Sequence, residues 1–207
     1  MKGKFITFEG IDGCGKTTIS REIKKQLEKE GYEVVYSREP GGIMIAEEIR
    51  KVILDPKNQA MEGRTEALLY AASRRQHLIE KILPALDAGK IVLCDRFIDS
   101  SLAYQGYARG IGINAVYQMN AFAIEGHMPD VTLFLRIDVQ TGLARMSQRN
   151  GKDRLEMEGS SFQEKVYEGY EKVIALYPDR IQVVDALQDL QSVYEQCYKI
   201  IKEILHD

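Results

Sequence analysis

The stretch Gly10-Ile11-Asp12-Gly13-Cys14-Gly15-Lys16-Thr17 carries the densest chemistry in this chain. Its spacing is G-x-x-x-x-G-K-[ST], a phosphate-binding loop. Glycines at these positions let successive backbone N–H groups converge on one point. The helix beginning at Lys16 adds the positive end of its dipole, and the Lys16 ammonium brings a full charge to the β and γ phosphates. Thr17 is placed to hold Mg²⁺, with Thr18 next in the same turn. The pattern predicts that a nucleoside triphosphate, ATP, binds along Gly10–Thr18. Cys14 sits where only a small side chain is needed, so packing is its expected role.

A second group lies at Asp95-Arg96, directly after an apolar run. Asp95 can orient Mg²⁺ through water, and Arg96 can grip a phosphate with both arms of its fork. Ser101, Tyr104 and Gln105 project along the following helix toward the same cleft. Arg38, Arg50, Arg74, Arg149 and Arg154 also fall in loops or at element ends, which supplies a second anion site facing the first. Two facing anion sites suit a small phosphotransferase. A guanine-reading switch would need N-K-x-D and a D-x-x-G on a later strand; the only D-x-x-G, Asp12 to Gly15, lies inside the loop. A mechanical or DNA-linked ATPase would need a second apolar strand ending in two acidic residues, and larger accessory regions. The rival that remains is a deoxynucleoside kinase, whose hydroxyl acceptor needs a base; Glu39 could serve.

These residues must be carried by elements. Short apolar runs alternate with helical patterns along the whole chain, the mark of an α/β fold with a parallel sheet covered by helices. Five strands are expected, at 4–9, 33–37, 90–95, 131–137 and 180–185. The last helix shows its buried face in Leu190, Val193, Tyr194, Cys197, Ile201, Ile204 and Leu205. A similar stripe, Leu68, Ala72, Ile79, Ile82, Leu83 and Leu86, is expected to face the core within a helix over 64–88 that Pro84 should kink. No repeat or linker divides the chain, so residues 1–207 are expected to form one domain. The polar, turn-prone segment 148–159 reads as a mobile lid.

The 28 Lys+Arg against 31 Asp+Glu leave a charge of −3, so no general nucleic-acid-coating surface is expected. Cys14, Cys94 and Cys197 are widely spaced and odd in number, which suggests neither a disulfide framework nor a zinc site. The start of the chain lacks the apolar segment of a signal peptide, and no apolar run is long enough to cross a membrane. A cytoplasmic protein is expected.

In its motifs and their order the chain resembles the bacterial thymidylate kinases. The resemblance rests on the phosphate loop, Arg38-Glu39-Pro40-Gly41-Gly42, Tyr70-Ala-Ala-Ser-Arg74, Asp95-Arg96-Phe97 through Arg109-Gly110, and Asp153-Arg154-Leu155-Glu156. It implies a P-loop NTPase fold with a five-stranded parallel sheet, a homodimer, and transfer of the ATP γ-phosphoryl group to dTMP. By the same resemblance Tyr70 would stack on thymine, and Arg74, Gln105 and Ser101 would reach its polar edge. Arg96 would hold the acceptor phosphate, Tyr104 would crowd the 2′ side of the sugar, and Asp12 would meet the 3′-hydroxyl. Glu39 and Arg50 would line the floor, with Tyr170 closing over it. Position 70 is more often Phe in such kinases. Gly13 stands where eukaryotic members carry a basic residue, so that charge is expected from the lid, through Arg149 or Arg154, acting with Lys16 and Arg96 as the catalytic set. Asp153 and Glu156 are expected to order the lid, Arg109 to pin a loop, and His77, His127 and His206 to be surface or satisfied residues.

Overall fold

A computed structural model describes residues 3–147 and 153–206. Among them β1 (Lys4–Glu9), β2 (Val34–Arg38), β3 (Ile91–Asp95), β4 (Val131–Arg136) and β5 (Ile181–Asp185) form one parallel sheet in the order β2-β3-β1-β4-β5. The five expected runs are these five strands, with ends displaced by one residue in all but β1. In the centre of the sheet, Phe5 of β1 lies beside Val92 of β3, and Phe8 beside Leu133 of β4. These strands are continuous apolar runs rather than alternating ones because helices cover both faces.

The covering helices are α1 (Lys16–Lys29), α2 (Met44–Leu54), α3 (Gly63–His77), α4 (Leu83–Asp87), α5 (Ile98–Ser101), α6 (Ile113–Ile124), α7 (Val139–Met146), α8 (Ser160–Leu176) and α9 (Leu190–His206). Since the sheet is parallel, every strand delivers its following loop to the same carboxyl edge. β1 leads into the phosphate loop, β2 into Glu39, and β3 into Arg96. Residues far apart in sequence thus share one rim.

Two helical expectations need correction. The helix over 64–88 is not merely kinked: α3 opens into a π-helical turn at Leu78–Ile82 before α4, which has Pro84 in its first turn. Proline has no N–H to donate and its ring crowds the carbonyl four residues back, and a widened turn relieves both. The apolar stripe of this segment is also only partly core. Ile82 is buried, but Leu68 is 58% exposed and Ile79 44% exposed, and Ala72 faces solvent with them. The buried face of α3 carries instead Glu66, Ala67, Ala71, Ser73, Arg74 and His77. Three buried polar side chains with partners waiting for them outweigh the apolar periodicity. In α9, Val193, Cys197, Ile201 and Leu205 are buried as expected, whereas Leu190 is exposed.

Candidate active site

The phosphate loop begins where β1 stops. Gly10 has φ +139°, and a Cβ there would lie 2.7 Å from the Leu135 carbonyl and 2.8 Å from Cys14 Sγ, so glycine alone fits. Gly15 caps α1 with φ +97°, and no acidic residue occupies the first turn to offset the helix dipole. Ile11 and Cys14 face inward at 3% exposure, so Cys14 packs as expected. The Lys16 ammonium donates to the Gly10 carbonyl (3.0 Å) and the Ile11 carbonyl (3.1 Å). Thr17 Oγ1 donates to Asp95 Oδ2 at 2.7 Å. A hydroxyl and a carboxylate within contact of each other make a hard-oxygen pair suited to Mg²⁺. No cluster of three or more His, Cys, Asp or Glu among the described residues offers a site that would enclose a metal.

A cavity of about 820 Å³ opens over the loop, lined by Asp12, Gly13, Gly15, Lys16, Thr17 and Thr18 together with Asp95, Arg96 and Arg145. Sequence reasoning missed Arg145, whose Nη1 donates to the Gly13 carbonyl at 3.2 Å. It reaches the loop because α7 crosses the loop backbone in tight contact. A Cβ on Gly13 would lie 2.5 Å from the Gly142 carbonyl, and one on Gly142 would lie 2.7 Å from the Asp12 carbonyl.

A narrower cavity of about 100 Å³ adjoins the first and is lined by Asp12, Glu39, Arg50, Tyr70, Arg74, Arg96, Tyr104 and Gln105, with Ser100, Asp153 and Leu155. Eight of the ten residues expected around an acceptor therefore line one pocket. Asp12, Glu39, Arg50 and Arg96 line both cavities and mark where they meet. Arg96 holds a left-handed backbone, φ +69°, which is costly for a residue with a side chain. Its Nη2 donates to Asp12 Oδ1 (2.6 Å) and Tyr104 Oη (3.3 Å), and its Nη1 to Ser100 Oγ (3.1 Å) and Tyr170 Oη (2.9 Å). Burial works against the cation, but the oxygens of Tyr104, Tyr170, Asp12 and Glu9 outweigh it and keep Arg96 charged well beyond its usual range. The Arg50 guanidinium donates to the Pro40 carbonyl at 2.8 Å, while burial and neighbouring Arg38 make its charge easier to lose. Burial pushes the Tyr70 phenol up, so it stays neutral.

Two buried carboxylates organise the pocket wall. Glu39 accepts from Arg74 Nε (2.8 Å) and pairs with His77 Nδ1 (3.0 Å), while His77 Nε2 meets Ser37 Oγ at 2.6 Å. His77 is thus a satisfied core residue. Arg74 also donates to Ser101 Oγ (3.2 Å), to Asn120 Oδ1 and to the Phe97 carbonyl (2.9 Å), so most of its N–H groups are committed to the protein. Glu66 accepts from Gln105 Nε2 (2.8 Å), Arg109 Nη2 (3.0 Å) and Arg154 Nη2. Burial alone would raise its pKa, but Arg109, Gln105 and Arg154 prevail and hold it below the usual carboxylate value.

Several expected positions fall elsewhere. Arg154 is 4% exposed, bonded to Glu66 and, through Nε at 2.7 Å, to the Ile53 carbonyl. It does not line the phosphate cavity, because a guanidinium beside a buried carboxylate stays there. Arg149 lies outside the described residues, as does the 148–152 part of the expected lid. From 153 onward Asp153 Oδ1 accepts from the Leu155 and Glu156 N–H groups, both at 2.9 Å, before a short 3₁₀ turn at Glu156–Glu158. Ser101 and Tyr170 stand behind the wall rather than in it, Ser101 supporting Arg74 and Tyr170 supporting Arg96. Tyr170, 1% exposed, lies beneath the pocket and does not close over it. Sequence reasoning also missed Glu66, Ser100 and Asn120. Glu66, Tyr70 and Arg74 recur every four residues, a signal that the competing apolar stripe obscured.

A parallel sheet carrying a glycine-rich loop and a lysine at its carboxyl rim, with a second basic pocket opening onto that loop, defines a P-loop phosphotransferase. The family described as "Thymidylate kinase" matches residues 8–197 of the chain. The thymidylate kinase of Bacillus pumilus is 55% identical, over 99% of this chain and 98% of that protein. That of Oceanobacillus iheyensis is 54% identical, over 100% and 93% respectively. The crystal structure of thymidylate kinase from Ehrlichia chaffeensis superposes with a TM-score of 0.78 at 35% identity, covering 97% of this chain and 99% of that one. The chain belongs to the thymidylate kinase family.

Proposed function

We propose that the protein transfers the γ-phosphoryl group of ATP to the phosphate of dTMP, giving ADP and dTDP. The observation that carries this is the junction of the two cavities at Asp12 and Arg96, which sets a phosphate-gripping guanidinium at the mouth of the ATP cradle. The acceptor phosphate, with a second pKa of about 6, is mostly a dianion at neutral pH and needs no general base. Glu39, which could serve as the base for a hydroxyl acceptor, is already matched by Arg74 and His77, which speaks against the nucleoside-kinase alternative. What remains is to bring two polyanions into line and surround the moving group with positive charge.

In this reading Lys16 and the loop N–H groups hold the β and γ phosphates, Arg96 holds the acceptor phosphate, and Arg145, rather than Arg154, brings the further charge near Gly13. Thr17 and Asp95 would hold Mg²⁺, which would supply positive charge to offset that of the ATP phosphates. Tyr70 stacks on thymine. Glu66 takes one N–H of Gln105, leaving the amide oxygen of Gln105 to accept from thymine N3–H, beside Arg74. Tyr104 crowds the 2′ position and Asp12 meets the 3′-hydroxyl. We also infer one working domain with 148–159 as its lid, and a cytoplasmic homodimer. Among the described residues no helix is long and apolar enough to cross a membrane. α3 packs against both α2 and α6, and these helices expose Ile45, Val52, Leu68 and Phe122, the last at 89%. A second copy of the chain would cover that face.

The test is an ADP-release assay across dTMP, dUMP, thymidine and other monophosphates. dTMP should turn over fastest and thymidine not at all. dUMP should trail by roughly 10- to 200-fold in kcat/KM, the usual worth of one methyl-sized contact. Turnover of thymidine comparable to dTMP would overturn the proposal.

A further inference from the structure

Glu9 is the last residue of β1, fully buried, and takes no part in the reaction described above. Its Oε1 accepts from the backbone N–H groups of Phe97 (2.8 Å) and Ser100 (3.2 Å). Its Oε2 accepts from the hydroxyls of Ser100 (2.6 Å) and Tyr170 (2.8 Å). Those two hydroxyls are the ones that receive Arg96 Nη1. We propose that Glu9 is the positioning residue for Arg96, fixing the guanidinium that grips the acceptor phosphate.

The argument is one of hydrogen-bond direction. A hydroxyl has one proton to give. With the protons of Ser100 and Tyr170 drawn toward Glu9, their lone pairs are turned toward Arg96 and its Nη1 is held between them. Glu9 also clamps the backbone on the C-terminal side of Arg96 through Phe97 N–H, while the Arg96 N–H donates to the Phe8 carbonyl at 2.9 Å. The unfavourable left-handed backbone of Arg96 is thus pinned from both sides by consecutive residues of β1. The same strand runs on into the phosphate loop. Glu9 therefore registers the acceptor grip against the donor cradle, which in-line transfer requires.

The test rests on the dTMP reading and uses the intact protein. Glu9→Gln keeps the shape but substitutes an N–H₂ that must donate to the two hydroxyls, which lie 2.9 Å apart, so that their protons turn toward each other or toward Arg96 and the paired acceptors for Nη1 are lost. Binding of dTMP and of thymidine is measured by calorimetry, with KM for dTMP and ATP alongside. The expected result is about a tenfold or greater loss of dTMP affinity, a matching rise in its KM, and thymidine affinity and the KM for ATP each within about twofold of wild type. Tyr170→Phe, which removes one bridging hydroxyl and leaves the carboxylate, should show a smaller loss with the same phosphate dependence, and carries the test should Glu9→Gln not fold. Equal losses for dTMP and thymidine, or no loss for either, would overturn the proposal. Wild-type protein that binds thymidine as tightly as dTMP would instead count against the dTMP reading itself.

Discussion

Lys16 and Arg154 are both buried cations near the site, yet their surroundings give them different work. Among the described residues Lys16 meets neutral carbonyls and the Cys14 thiol, so its charge remains available to a phosphate. Lys16→Ala should lower kcat by ~10² or more while circular dichroism stays that of wild type, since the loss falls on the transition state. Arg154 instead completes Glu66. Arg154→Met should cost about 1–3 kcal/mol in urea unfolding, because it strips a donor from a buried carboxylate. Arg145→Ala should do the reverse, leaving stability within about 0.5 kcal/mol and lowering kcat by ~10². A larger catalytic than stability defect in Arg154→Met would return it to the reacting groups. The difference was not legible in the sequence. The glycine spacing around Lys16 is a local constraint that announces itself, whereas nothing near Arg154 says that Glu66, far back in α3, waits for it. Glu9 was missed, and the partners of His77 with it, for the same reason: a buried polar residue takes its meaning from partners distant in the chain.

At the scale of elements, α3 is amphipathic in the inverted sense. Its inward face carries Glu66, Arg74 and His77 because that face is the wall of a polar pocket, and its outward face carries Leu68 and Ala72, with Ile79 of the following π-helical turn exposed beyond them. Periodicity locates a helix correctly but cannot say which stripe is inside when the interior is a functional site. The strands escaped this ambiguity, since β1 and β3 are covered on both faces and read as apolar runs, broken only by Thr7 in the middle of β1. The inversion carries a prediction about assembly. Leu68→Glu and Phe122→Glu each place a charge on the exposed apolar face and should shift the protein from dimer toward monomer in sedimentation at micromolar concentration, with monomer stability little changed. A wild-type protein that sediments as a monomer would remove this face from the assembly.

Across the whole molecule, the chain's two ends are tied together by an exposed ionic pin. Glu30, just past α1, accepts from the Tyr198 hydroxyl, the Lys202 ammonium (2.9 Å) and the Gln26 amide (2.8 Å). Tyr198 first, then Lys202 and Gln26, hold its pKa down to about 2 from an ordinary 4.5. A depressed carboxylate stabilises the fold above its unfolded pKa and loses that contribution as pH falls through the folded one. Between about pH 4.5 and 2, amide exchange in α9 should therefore accelerate more in wild type than in Glu30→Gln, which has no such pKa to cross. Equal pH dependence in the two proteins would show that the pin does not hold α9. A second long-range tie, the contact of Gly13 with Gly142, bears on how such kinases can diverge. Neither position can acquire a side chain while the other backbone stays where it is. A lineage could not move a basic residue into the loop one substitution at a time; the loop and α7 would have to be inherited, exchanged or engineered as a unit.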